Sequence, residues 1–397
     1  MAPLSDRANT LLERLAQVEP AARDARDQVR VARAPGRVNL IGEHTDYNQG
    51  YVMPVAISLE TWIASFPRRD GQARFSSVQE RGTYDFDVLS PGTRRDAWID
   101  YVAGVAWSLG EDGVPLRGVT AVVDSDVPIG SGLSSSAALE LAAAWTLSER
   151  APPPLDKIAL ARAAQRAENG FVGVQSGLMD QFASANGRAG HALLLDCRTF
   201  DFHAPRIPAD VVLVAIDTRV PRRLAASEYN ARRSECERGV ALLSQRHVGV
   251  SSLRDVTPGM LREATDLLDS VTLRRCRHVV EENDRVLAVG NALVQDQLDL
   301  IGPLFAASHE SLRDLYEVSS PELDGLVEIA SSVPGVIGAR MTGAGFGGCT
   351  VNLVRDDAVE DLREVVAREY PRRFGRDAGF HVVRAVDGAG VLDLPPG

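Results

Sequence analysis

The chain has 397 residues, 45% of them apolar and 24% charged, with a formal net charge of −11. This is ordinary globular composition, with length for two domains and ample surface to bury, so it excludes a disordered chain. Its acidic residues are spread along the sequence, which disfavours nucleic acid and anionic membrane as main partners.

The N-terminal segment "MAPLSDRANTLLERLAQVEPAARDARDQ" reads as a charged amphipathic helix without an apolar core, unlike a secretory signal. From about Arg30 to Asp87 the runs "YVMPVAI", "TWIASF", "ARFSSV" and "YDFDVL" read as short strands divided by Gly, Pro and charged turns. "WIDYVAGVAWSLGEDG" is a helix with a glycine stop, and "GVTAVVDSDVP" is a strand. "IGSGLSSSAALELAAAWTLSER" is a helix entered from a glycine–serine loop, and "PPP" connects it tightly to the helix "LDKIALARAAQRAENGF". "HALLLDC" and "VVLVAIDT" are buried-type strands. From Arg222 to Leu326 the pattern is mainly helical, as in "RRCRHVVEENDRVLAVGNALVQD". Strands return at "VIGARM", "CTVNLV" and "FHVVRAV", around a helix at "AVEDLREVVAREY".

The expected architecture is α+β in two lobes: strands before helices in the first, helices closing on a small sheet in the second. No segment is apolar for long enough to span a bilayer. The cysteines, Cys197, Cys236, Cys276 and Cys349, form no CxxC pair, which argues against a zinc site or disulfide framework and suits a reducing compartment. The expected location is the cytoplasm.

Three segments are dense in chemistry. "GRVNLIGEHTDYNQG" gathers Arg37, Asn39, Glu43, His44, Asp46, Tyr47 and Asn48 around the short apolar run Val38, Leu40 and Ile41. In "VPIGSGLSSSAALE", Gly130 and Gly132 permit close backbone approach, and three serines lead into a helix whose free N–H groups face the loop. A serine-capped helix after a glycine turn has the same local pattern. The glycine-rich "MTGAGFGGC" favours a ligand, since such density weakens strands unless close approach demands it. Lys157 is the single lysine and follows "APPPLD", where it fits neither a Walker A loop nor a protein-kinase strand lysine. A phosphate here must be met by backbone, hydroxyls, arginine and metal.

On these three segments, and on "GLMDQFASANG", "SEYNARRSECE", "RHVVEENDRV" and "SHESLRDLYEVSSPELDGLV" between them, the chain resembles the GHMP small-molecule kinases, the galactokinases in particular. The resemblance runs from Arg33 to Gly390. It implies a two-lobed GHMP-kinase fold. Residues 1–205 would form an N-terminal lobe with a mixed sheet and helices, carrying the sugar signature and phosphate loop. Residues 206–397 would form a C-terminal lobe of helices on a small antiparallel sheet. The implied reaction is ATP-dependent phosphorylation of the anomeric hydroxyl of D-galactose. The alternatives are a related sugar 1-kinase for N-acetylgalactosamine, galacturonate or arabinose, and a non-catalytic sugar and ATP sensor. Intact "GLSSSA", Arg37 and Asp180 count against a sensor.

The resemblance also implies roles. Asp180 would accept the anomeric proton and Arg37 would stabilise it and the developing charge. Sugar contacts fall to Arg37, Glu43, His44, Asp46, Gly177, Asp180 and Tyr229, with Glu43 and His44 at the exocyclic hydroxyl and Asp46 at ring hydroxyls. ATP would meet Trp98, Gly130, Ser131, Gly132, Leu133, Ser134, Ser135, Ser136, Gly343 and Gly345. Mg²⁺ would be held by Ser136 and Glu168. The expected partners are small molecules only, sugar and ATP, with no nucleic acid or membrane, in a monomer or weak dimer. Three positions depart from the family pattern: Asn169 and Arg222, where histidine is frequent, and Ser176, where cysteine is.

Overall fold

A computed structural model of the chain describes residues 6–220 and 225–394; the departure at Arg222 lies outside them. In chain order the helices are α1 (Asp6–Val18), α2 (Ala21–Asp24), α3 (Ile99–Glu111), α4 (Ser135–Leu147), α5 (Lys157–Arg166) and α6 (Met179–Asn186). They continue with α7 (Ala225–Arg246), α8 (Pro258–Glu263), α9 (Ser270–Val294), α10 (Ile301–Asp314), α11 (Pro321–Ser331) and α12 (Val359–Phe374). The strands are β1 (Arg30–Asn39), β2 (Tyr51–Val52), β3 (Pro54–Arg68), β4 (Gln72–Ser77), β5 (Thr83–Asp87), β6 (Gly118–Ser125) and β7 (Leu194–Asp196). The remainder are β8 (Phe202–His203), β9 (Val211–Asp217), β10 (Val336–Met341), β11 (Cys349–Arg355), β12 (Gly379–Val383) and β13 (Gly390–Val391).

The first sheet runs β13–β1–β3–β6–β4–β5 and is mixed, because β4 pairs parallel to β6 while its other pairs are antiparallel. The second, β10–β11–β9–β12, is antiparallel throughout. The expected α+β arrangement of a mixed sheet with helices and a small antiparallel sheet under helices is what the chain forms. Three details differ from the sequence reading. "YVMPVAI" and "TWIASF" are not separate strands, since β3 runs unbroken through Ser58–Glu60. Glu60 is tolerated there because Arg33 Nη1 (2.6 Å) and Trp62 Nε1 (2.6 Å) donate to its two oxygens. "HALLLDC" yields only the short β7, and the N-terminal helix is divided at Pro20 into α1 and α2.

Helix α4 is apolar on nearly all sides, the pattern of a buried helix, and Ala137, Ala138, Ala142, Ala143 and Ala144 are all buried. These small side chains let it lie close against β1 and β3, which brings its N-terminus beside the start of the "GRVNLIGEHTDYNQG" segment. Val38, Leu40 and Ile41 of that segment pack with Val286, Ile301, Phe305 and Val351, so the polar cluster is anchored in a core shared by the two sheets' halves of the molecule.

One backbone irregularity aims a key side chain. The β1–β3 register shifts between Pro35 and Arg37, where proline has no N–H to give the ladder. The Arg37 N–H instead donates to Leu133 O at 3.0 Å. Gly36 is required for this approach, because a Cβ there would lie 2.5 Å from the same carbonyl. Among the described residues, no helix is long and apolar enough to cross a membrane.

Candidate active site

Two cavities share a wall. One, of about 310 Å³, is lined by Glu43, His44, Asp46, Gly177 and Tyr229 among others, and the second, of about 720 Å³, by Trp98, Gly130, Gly132 and the serine run. Arg37, Asp180 and Ala344 line both.

At that wall Arg37 grips Asp180 with two parallel bonds, Nε to Oδ1 and Nη2 to Oδ2, both 2.8 Å, the bidentate form that fixes both orientation and charge. Arg37 Nη1 donates to Gly132 O at 2.5 Å, tying the pair to the glycine–serine loop. Ser134 also donates its hydroxyl to Asp180 Oδ2. Ser134 occupies the N-cap of α4 in left-handed conformation (φ 62°), and its side chain makes no capping bond. A serine N-cap normally contributes about 1 kcal/mol by satisfying first-turn N–H groups. Here that contribution is given up: the hydroxyl serves Asp180, and the helix N-terminus is left open toward the larger cavity. Such a terminus, with Gly130 and Gly132 at positive φ, attracts an anion.

The smaller cavity is walled by buried polar groups held from the opposite half of the chain. Glu43 is 1% exposed. It pairs with the fully buried Arg340 and accepts from Gly343 N (3.1 Å) and Thr342 Oγ1 (3.3 Å). Burial raises its carboxyl from the ordinary range, and Arg340 pulls against that rise. Behind it lies Glu282, which burial alone would raise but which Arg285, His278 and Arg340 hold down at about 2. His44, in left-handed conformation (φ 64°), has both ring nitrogens engaged. Nε2 faces Ala344 O at 3.2 Å, so it carries the proton, and Nδ1 accepts from Tyr47 Oη at 2.9 Å. Burial and the neighbouring His278 lower its pKa to about 3, so it is neutral at physiological pH. A direct hydroxyl contact at His44 therefore requires exchange of one of these bonds. Asp46 is pushed up to about 6 by burial and by the nearby Asp180 charge. Gly177 lies against it so closely that a Cβ would sit 1.7 Å from Asp46 Oδ2.

Glu168, in the helical turn Ala167–Val172, lines the smaller cavity, and Ser136 lines the larger. Ser136 lies near enough to Glu168 to lower its carboxyl, against the larger effect of burial. Burial raises the Glu168 carboxyl, against the hydroxyl of Ser176 and the amide of Gln181, which both donate to Oε2. Among the described residues no group of three His, Cys, Asp or Glu side chains forms a metal cage, so a cation held here must complete its shell with water or ligand oxygens.

Not every residue expected at the nucleotide lines that cavity. Ser131 turns inward to Pro128 O (2.8 Å), and the Leu133 side chain is buried in the core. Gly343 lines the smaller cavity instead. Gly345 packs against Val318, with a Cβ there 2.2 Å from Val318 O. Trp98, Gly130, Gly132 and Ser134–Ser136 do line it, and Glu43, His44, Asp46, Gly177, Asp180 and Tyr229 gather at the smaller one. Sequence reasoning missed Arg340 and Gln181. A charged residue inside the apolar strand "VIGARM", and an amide adjacent to Asp180, were the available signals.

Comparison with known proteins gives three matching family models: the galactokinase galactose-binding signature over residues 22–66, the GHMP kinases N terminal domain over 100–188 and the GHMP kinases C terminal over 291–372. A galactokinase of Roseiflexus sp. (strain RS-1) is 46% identical over 366 residues, covering 91% of this chain and 93% of that protein. A galactokinase of Chloroflexus aurantiacus is 47% identical over 363 residues, with the same coverages of 91% and 93%. The structure of Lactococcus lactis galactokinase complexed with galactose matches with a TM-score of 0.91 at 35% identity, covering 97% of this chain and 100% of that one. Methanococcus jannaschii mevalonate kinase, at 17% identity and a TM-score of 0.62 over 90% of this chain and 98% of its own, shares the fold.

Proposed function

The chain belongs to the galactokinase family of GHMP kinases, and from that premise we propose which of its residues carry the reaction. The activity is ATP-dependent phosphorylation of the anomeric hydroxyl of D-galactose, giving α-D-galactose 1-phosphate and ADP. Galactose occupies the smaller cavity and the triphosphate enters from the larger. The observation that carries this assignment is the shared wall: Arg37 and Asp180, bonded to each other, are the charged side chains that line both cavities.

Asp180 takes the anomeric proton as the sugar oxygen forms its bond to the γ-phosphorus, and the bond from that phosphorus to the β-phosphate oxygen breaks, with its electron pair leaving on ADP. A sugar hydroxyl is a weak nucleophile at neutral pH, so a positioned base is worth roughly 10²–10⁴-fold. The bidentate Arg37 holds the Asp180 carboxyl in a fixed orientation at the shared wall. Three of the five guanidinium N–H donors are used on Asp180 and Gly132, which leaves donors for phosphoryl oxygens. The open N-terminus of α4 stabilises charge on the remaining phosphates.

Ser136 and Glu168 fit a magnesium ion. One hydroxyl and one carboxylate near each other suit a cation that keeps several waters and shares its other sites with phosphate oxygens. Bound with ATP, the ion would supply neutralisation of phosphate charge, a task for which the lone Lys157, which lines neither cavity, is not placed.

We further propose a division into residues 1–205 and 206–397, with β13 returning to the first sheet. The four buried, free cysteines support a reducing, cytoplasmic setting.

A kinase assay across galactose, N-acetylgalactosamine, galacturonate, arabinose and glucose, with phosphorus NMR of the product, tests the substrate assignment. The expected result is a 1-phosphate from galactose; a product phosphorylated elsewhere, or preference for another sugar of the panel, overturns it. The raised Asp46 gives a second expected outcome. Sugar hydroxyls donate to its ionised form, so galactose binding favours the carboxylate and strengthens as pH rises through about 6. His44, at about 3, contributes nothing in that range. Galactose dissociation constants measured by calorimetry from pH 5 to 8 should therefore fall with an inflection near 6. Asp46→Asn should bind weakly at every pH and lack the inflection, and an unchanged inflection in that variant would remove Asp46 from the assignment.

A further inference from the structure

Behind Glu168 lie two buried side chains that the reaction above does not use. Glu140 is on α4, one helical turn after Ser136, and Gln181 is on α6, next to Asp180; both are fully buried. Gln181 Nε2 donates to Glu140 Oε2 at 3.0 Å and to Glu168 Oε2 at 2.9 Å. Only this amide orientation is chemically sensible, since the flipped one would set an oxygen against two carboxyl groups. Among the described residues the Glu140 carboxyl takes its side-chain hydrogen bond from Gln181, with no arginine or lysine paired to it. We propose that Gln181 is the positioning residue of the metal-binding carboxylate, its amide clamped by Glu140 on the phosphate-loop helix so that the second N–H fixes Glu168 beside Ser136.

The leftover atoms support the clamp. In the Glu140–Gln181 pair the unpartnered buried atoms are Glu140 Oε1 and Gln181 Oε1, one carboxyl proton short of a closed acid–amide pair. Burial and the proximity of Glu168 push the Glu140 carboxyl well above the ordinary range. The clamp joins three elements that meet the nucleotide: α4 through Glu140, the turn Ala167–Val172 through Glu168, and α6 through Gln181. A carboxylate ligand with freedom to turn would bind the ion less tightly, and removing such outer partners typically costs 10–100-fold in metal affinity.

The proposal rests on the reading of Glu168 as a magnesium ligand, and the test separates the two. Gln181→Met, Glu140→Gln and Glu168→Ala are compared in two assays. One is the Mg²⁺ concentration for half-maximal activity, split into effects on kcat and on KM for galactose. The other is the rise in unfolding midpoint when Mg²⁺ is added to the enzyme with a non-hydrolysable ATP analogue, against the analogue with EDTA. Gln181→Met is expected to raise the Mg²⁺ requirement about 10-fold or more and to shrink the midpoint rise, with KM for galactose little changed. Glu140→Gln, which preserves an acceptor for Gln181 Nε2 and a donor for its oxygen, is expected to behave as wild type in both. Should Gln181→Met not fold, Gln181→Asn, one methylene too short to bridge both carboxyls, carries the same expectation. Loss of Mg²⁺ response in Glu168→Ala with normal response in the Gln181 variants overturns the positioning role alone. An unchanged response in Glu168→Ala overturns the ligand reading itself.

Discussion

Asp180→Asn is expected to lower kcat roughly 10³-fold, within the range that removal of a general base costs and equal to about 4 kcal/mol of barrier. The substitution keeps the side chain's volume and replaces one acceptor by an N–H₂ group. Arg37 donates to both oxygens of the carboxylate, so in either orientation that group faces an Arg37 N–H, and one bond of the cluster is lost together with the basicity. The phosphate loop contacts Arg37 through Gly132 O and Leu133 O, neither of which the change touches, so KM for ATP should move little. Steady-state kinetics with an unfolding curve as the control for folding make the measurement. A variant with intact fold and kcat within about threefold of wild type would reject Asp180 as the base.

Arg340→Leu is expected to cost stability and sugar binding together. Arg340 is the cation between Glu43 and Glu282, all three at 1% exposure or less. Its Nη1 also donates to Leu40 O at 3.0 Å, bracing the strand end that carries the polar cluster. Removing one partner of a buried ion pair leaves an uncompensated charge and destabilises by roughly 3–5 kcal/mol. Denaturant unfolding should show a loss of that size, and galactose binding should fall because Glu43 is no longer held at the cavity wall. The double variant Arg340→Leu with Glu43→Gln removes the stranded charge. It should recover part of the stability and none of the sugar affinity. Recovery of binding in the double variant would mean that Glu43 acts on the sugar otherwise than as an oriented carboxylate.

The polar density of "GRVNLIGEHTDYNQG", the open serine loop and the glycine run were each visible in the residues, because their chemistry is local. A glycine permits close approach, a serine run opens a helix, and an apolar triplet anchors a loop whatever the remainder of the chain does. The single lysine, following "APPPLD", likewise ruled out a Walker A loop and a protein-kinase strand lysine from its local context. Most helices and strands followed from periodicity for the same reason. The differences came where a neighbour decided. β3 continues through Glu60 because Arg33 and Trp62 satisfy that carboxylate, and Gly345 packs on Val318 instead of lining the larger cavity.

What the sequence by itself determined, then, is the set of loops able to hold a sugar and a phosphate, and the α+β character of the scaffold beneath them. Tertiary structure decided which groups answer one another: that Ser134 gives its hydroxyl to Asp180 instead of to its own helix, that Arg340 reaches Glu43, and that Gln181 sits between Glu140 and Glu168. A donor's choice among acceptors depends on distances set by packing between residues far apart in the chain, and no local pattern encodes those distances. Burial then fixes what each contact is worth, since the same ion pair or amide bond exposed to water would contribute little.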